Sequence, residues 1–179
     1  HGVMYGAIEF YEECKKQGIK PILGCEVYVT TGSHLERNNR GLYHLILLAE
    51  NLEGYHNIMK MVSLAQLEGF YYKPRVDKDI LRAHSKGVIC LSACIAGELP
   101  VFILQDNLDG ARRCLEEYLE IFGKDNYFLE IQNHDLDEEH KVNKVLKQLA
   151  KEYGLGLVAT NDLHYVRRQD AEAQDVLLC

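Results

Sequence analysis

The chain alternates between two hydrophobic periods. Apolar side chains recur at helical spacing over residues 3–18, which stop at Gly18, and over 51–69, where Asn51 offers a cap. The same spacing covers 101–122, with Asn107 or Asp109 as an internal cap, and 136–154, closed by Gly154. Between them lie short apolar runs of strand character at 19–32, 43–50, 87–94, 125–135 and 155–165. Residues 33–41 (SHLERNNRG) are polar and turn-rich and read as a loop. Residues 70–87 join an aromatic, basic stretch to a short helix starting near Asp77, and a last helix begins in 166–179. The order α-β-β-α-β-α-β-α-β-α describes a single α/β domain over 1–179, without repeat or linker. Strands alternating with helices predict a parallel sheet with helices outside. This many strands favours a barrel; a doubly wound open sheet is the alternative.

Composition narrows the class. The chain is 47% hydrophobic and 26% charged, as a globular domain is. No apolar run approaches the roughly 20 residues that cross a bilayer. The first residues, HGVMYGAIEF, have neither a basic start nor a cleavage site, and no initiating Met, so the chain reads as a fragment whose start lies upstream. Lys and Arg total 20 against 27 Asp and Glu, a net charge of −7. That argues against an autonomous nucleic-acid binder with a basic face, but not against a nuclease-like site where metal ions supply the positive charge. The six cysteines include no CxxC pair and fit neither a disulfide framework nor a structural zinc site. A reduced, cytoplasmic setting is expected.

Candidate chemistry gathers at strand ends. Asp162 and His164 follow the apolar run of GLVATNDLHY and, on an extended chain, point the same way. A carboxylate beside an imidazole suits a divalent metal. Glu26 and Cys25 are neighbours on a strand and face opposite sides; Glu26 is the better ligand for a hard ion, or else one half of a salt bridge. His44 sits at the start of its apolar run, a poor position for a site at C-terminal strand ends. Cys94 lies where a strand meets a turn. Glu130, Gln132 and His134 share one strand face, and Asn133 and His134 end that strand. FYYKPR sets three aromatics beside Lys73 and Arg75, a pairing that can stack bases and meet phosphates but also packs ordinary loops. G-x-G-x-x-G, P-loop and G-x-S-x-G patterns are all lacking. Mixed N, O and S donors with no thiolate-rich motif suit two or more Zn, Mn or Fe ions rather than a closed structural zinc.

Taken together, HGVMYGAIEFY, KPILGCEVYV, YHLILLA, GFYYKPR, LSACIAGE and ATNDLHYVRRQDAEAQDVLLC resemble the PHP (polymerase and histidinol phosphatase) domains of bacterial DNA polymerase III α subunits, over essentially the whole chain. The resemblance implies a distorted (β/α)7, TIM-like barrel, here incomplete at its N-terminus. It also implies a multinuclear centre of two or three divalent ions, with Mg for the parent polymerase. His1 resembles the histidine of the family's T-D-H-G segment, Glu26 the glutamate of the next motif, and His44 the histidine of Y-H-L. Cys94 stands where other members place a histidine, and Asp162 and His164 resemble the closing D-x-H pair. The family's opening H-x-H lies before this chain. Asn133, His134, Lys73 and Arg75 are left as residues that could face substrate. The functions implied are metal-dependent phosphoesterase chemistry with 3′→5′ exonuclease proofreading inside a polymerase that binds DNA. The alternatives are a structural module that braces other polymerase domains and docks a proofreading subunit beside a sliding clamp, or a stand-alone phosphatase of the histidinol-phosphate type.

Overall fold

A computed structural model describes residues 1–178. Its centre is a six-stranded sheet. The strands are β1 (Gly24–Thr30), β2 (Leu42–Ala49), β3 (Arg75–Val76), β4 (Val88–Leu91), β5 (Tyr127–Ile131) and β6 (Leu157–Ala159), in the order β3-β1-β2-β4-β5-β6. The sheet is mixed, not parallel as expected. β2 runs antiparallel to both β1 and β4, while β1–β3, β4–β5 and β5–β6 pair in parallel. The reason lies in the connection: β1 reaches β2 through the loop 31–41 with no crossover helix, and such a link favours antiparallel pairing. One consequence matters for the site. Reversal of β2 places its first residues beside the last residues of β1, so His44 stands opposite Tyr28. The position that looked wrong for His44 in a parallel sheet is the right one in a mixed sheet.

The helices are α1 (Ala7–Lys16), α2 (Leu52–Leu67), α3 (Lys78–Ala83), α4 (Glu98–Leu104), α5 (Leu108–Phe122), α6 (Asp137–Tyr153) and α7 (Ala171–Leu178), the last preceded by a 3-10 turn at Arg168–Asp170. Cys179, the end of the expected last helix, lies outside the described residues. Asn51, Asp77 and Asn107 each accept a backbone N–H three residues on and so fix the starts of α2, α3 and α5. The predicted helix 101–122 is therefore two helices, broken where Asn107 caps the second. Gly154 ends α6 in the left-handed conformation, φ 65°. The predicted strand 155–165 is only three residues long; the chain leaves the sheet after Ala159, and Asp162 has φ 45°.

Alternation along β1 and β2 divides the molecule. Cys25, Val27, Val29, Leu45 and Leu47 face a continuous core with Ile58, Met61 and Ala65 of α2. The core continues through Cys90 and Leu129 to Leu115 and Tyr118 of α5 and Leu146 of α6. Gly54 lets α2 lie directly on the turn before β4; a Cβ there would stand 1.6 Å from the Gly87 carbonyl oxygen. Glu26, Tyr28 and His44 occupy the opposite face of the same strands.

Candidate metal and phosphoester site

Glu26 projects from the middle of β1 with only 17% of its side chain exposed. Its two oxygens serve two histidines. Oε2 lies 3.0 Å from Nδ1 of His1, and Oε1 lies 2.9 Å from Nδ1 of His44. The His44 Nδ1 is also 3.5 Å from Sγ of Cys94. Tyr28, two residues after Glu26 on the same face, places its hydroxyl 3.2 Å from the His1 ring and its own ring edge-on to His44 at 5.3 Å. Four stretches distant in sequence, at 1, 26, 44 and 94, thus converge. Backbone pairing supports the geometry: the Gly2 N–H donates to the Glu26 carbonyl, and the His44 N–H donates to the Ala96 carbonyl just past Cys94.

The electrostatics follow from the contacts. Hydrogen bonds to Cys94 and to Glu26 push the His44 imidazolium up to about 10. Burial works against the charge of Glu26, but its hydrogen bond to His44 and the charge of that ring prevail and pull the carboxyl down. The group is therefore a carboxylate bridging imidazole donors, with a thiol alongside. These are donors that bind divalent transition metals. In the conformation described, the nitrogen–oxygen pairs sit at hydrogen-bond length. Among the described residues no three His, Cys, Asp or Glu side chains are spread as ligands around a common ion. The donor chemistry fits; protons occupy the contacts that a cation would take.

The remaining expected ligands are less drawn in. His164 is exposed, its Nδ1 2.7 Å from the Asp162 carbonyl, and its ring centroid is 5.6 Å from that of His1. Asp162 is exposed and on a left-handed turn, not on an extended strand, so the two side chains are not aligned by strand alternation. His134 does not offer a free ring. Its Nδ1 lies 2.6 Å from Glu139 Oε1 and its Nε2 2.8 Å from the Asn161 carbonyl. Both partners only accept, so both nitrogens donate and the ring is an imidazolium. The Glu139 hydrogen bond, then the Asn161 carbonyl, raise its pKa; burial opposes the charge of Glu139, but His134 lowers its carboxyl. His134 is thus a latch between β5, α6 and the segment after β6. Asn133 is exposed and lines an open cleft of about 640 Å³ with Asn161 and Lys147.

Arg75 is fully buried, which removes it as a substrate contact. Its guanidinium donates to the main-chain carbonyls of Gly69, Asn39, His34 and Glu36, bracing the loop 33–41. Lys73 stays exposed, with Nζ 5.6 Å from the centroid of the Tyr28 ring, at the mouth of the cluster. Tyr28 is the residue that sequence reasoning missed, while Glu130, read as one of three residues on a strand face, proves buried. Tyr28 was available from strand alternation once Glu26 was chosen. Glu130 is 5% exposed, accepts from Thr160 and Gln132 through one oxygen, and leaves Oε2 without a partner; burial, against those two hydrogen bonds, raises its carboxyl pKa.

The PHP domain family model matches residues 1–134. The chain belongs to the PHP domain family. That match takes in His1, Glu26, His44 and Cys94 and ends before Asp162 and His164. The PHP chain is 53% identical, over 99% of its length, to the DNA polymerase III subunit alpha of Thermus aquaticus. It is 49% identical over its full length to that of Treponema pallidum, and 45% identical over 99% to that of Deinococcus radiodurans. The chain spans about 15% of the length of these relatives. No helix among the described residues is long and apolar enough to cross a membrane.

Proposed function

We propose that this PHP domain is part of a replicative DNA polymerase III α subunit, a nucleotidyltransferase, and that its own site hydrolyses phosphoesters, with 3′→5′ release of nucleotides as the reaction. The observation that carries this is the convergence of His1 and His44 on the single carboxylate of Glu26, with Cys94 against the His44 ring. His1, Glu26, His44, Cys94, Asp162 and His164 would hold two or three divalent ions, Zn, Mn or Fe. When bound, such ions polarise a phosphoryl oxygen and acidify a water. The chain's own contributions are separate. Glu26 orients two imidazoles, Tyr28 fixes the His1 ring, and Lys73 sets a positive charge at the mouth, where a phosphate would approach. The contact of His1 with His164 fits closure of the sheet into a distorted (β/α)7 barrel.

A second reading, in which the domain braces its parent polymerase, has its own support. No residue of α1 is buried, and Ile8, Phe10 and Tyr11 are exposed along it, a surface suited to covering by other domains of a longer chain. DNA and those domains are then the partners, with a sliding clamp and proofreading subunit further out, in a reducing cytoplasm. The two readings separate by one assay. In the full-length protein with polymerisation blocked, manganese- or zinc-dependent release of 3′ nucleotides should occur and should fall at least about a hundredfold in Asp162→Ala. Absence of release, or release unchanged by the substitution, leaves only the bracing role. Efficient turnover of histidinol phosphate would instead indicate a small-substrate phosphatase.

A further inference from the structure

The loop that carries Arg75 does more than pack. Tyr72 has φ 63°, a left-handed conformation unusual for an aromatic residue, in a tight turn closed by the Tyr71 N–H on the Lys73 carbonyl at 3.0 Å. The turn projects Tyr72 outward, 60% exposed, with Phe70 51% exposed beside it in sequence. Arg40, from the loop 33–41, lies over the Tyr72 ring with its guanidinium carbon 3.8 Å from the centroid and donates to the Tyr72 hydroxyl. Buried Arg75 makes the arrangement rigid. It supports Tyr71 from one side, 5.1 Å from that ring, and ties down the carbonyls on either side of Arg37. Lys73 then reaches the Tyr28 ring, and Tyr28 touches His1 and His44. A line of alternating cations and aromatic rings runs from the Glu26 cluster to the surface.

We propose that Arg40, Tyr72 and Lys73 form a landing for single-stranded DNA that leads a 3′ end toward the Glu26 cluster, with Tyr28, only 4% exposed, as the buried floor beneath Lys73. The exposed Tyr72 ring accepts any base, and the cations on either side of it, Arg40 and Lys73, meet the backbone phosphates. In a chain of net charge −7 such a local lane selects a strand by position rather than by bulk attraction. A non-glycine residue held in the left-handed region is a conformational cost that an outward-facing stacking platform accounts for. The direction in which the landing leads a strand rests on the phosphoesterase reading; the binding surface itself does not.

The test uses the full-length protein in EDTA, so that nothing is hydrolysed, with oligo(dT) carrying 4-thiothymidine a few nucleotides before its 3′ end. After irradiation, adducts should map to residues 70–73. Their yield should fall at least about fivefold in Tyr72→Ala and in Arg40→Ala. It should survive Tyr72→Phe, which keeps the ring, and Arg112→Ala, which removes a distant surface pair with Glu152. Adducts confined to other regions, or an undiminished yield in Tyr72→Ala, overturn the proposal. Adducts at 70–73 in a protein that releases no 3′ nucleotide with any divalent ion would keep the landing and reject the hydrolytic reading.

Discussion

Histidines meet carboxylates at Asp77, Glu139 and Glu26 through the same chemistry, and the three places serve different ends. His34 and Asp77 are nearly buried; the carboxylate takes the His34 ring at 2.6 Å, the His34 N–H and the Ile80 N–H. In the second pair, His134 spends both ring nitrogens on Glu139 and a main-chain carbonyl. Those two pairs are closed, in that each carboxylate is held by its own histidine and by backbone N–H groups, although the His34 Nε2 is left without a hydrogen bond, 3.8 Å from Glu68. Around Glu26 the arrangement is open. Two imidazoles share one carboxylate, the Cys94 sulfur lies against one of them, the His1 side chain is 67% exposed, and the set faces away from the core. Closed pairs hold elements in place, whereas the open arrangement around Glu26 is the one proposed above to take a cation.

Each prediction presses on that contrast. The largest effect is expected from Asp77→Ala, which removes the α3 cap and strands a buried histidine. Protection of the Ile80 and Leu81 amides against native-state hydrogen exchange should fall by about 3 kcal/mol. An unchanged exchange rate would show that the pair is ornamental.

Glu139→Gln should cost less, about 1–2 kcal/mol, read in the amides of His134 and Thr160, because the latch is partly solvated. The latch also carries a pH signature. His134 is raised above its ordinary 6.5, so its contribution is complete below that value and is lost as pH rises through the elevated folded value. Glu139 is lowered from 4.5, so its contribution holds above that value and is lost as pH falls through the depressed one. Protection of the His134 and Thr160 amides should therefore peak at mildly acidic pH and decline on the alkaline side. Protection flat across that range would contradict the imidazolium assignment.

Glu26→Gln should be the mildest for the fold, under about 1 kcal/mol at the amides of β1 and β2, because its partners are half exposed and can turn to water. A loss as large as that of Asp77→Ala would mean that Glu26 is another closed pair.

Much of the architecture was legible in the sequence. Helical spacing located α2, α5 and α6, and side-chain capping by Asn51, Asp77 and Asn107 located three helix starts. The direction of β2 was not legible, because hydrophobic alternation reads the same in both directions. That ambiguity made His44 look misplaced. The two-residue β3 is too short to leave a pattern. In the site, strand alternation separated Glu26 from Cys25 correctly: Cys25 is in the core and Glu26 meets the histidines. Alternation misled at Asp162 and His164, where the extended run gives way to a left-handed turn. Arg75 stands out as a cation in an aromatic loop and His134 as an imidazole at a strand end. Neither criterion reveals a main-chain carbonyl that will claim the donor first.

The most direct test compares metal content in Glu26→Gln and Glu139→Gln of the full-length protein, equilibrated with manganese or zinc and counted by mass spectrometry. Both substitutions neutralise a carboxylate that holds a histidine. The open-cluster account predicts that Glu26→Gln loses at least one ion per chain relative to the unaltered protein while Glu139→Gln keeps its full complement. Equal occupancy in both would contradict it.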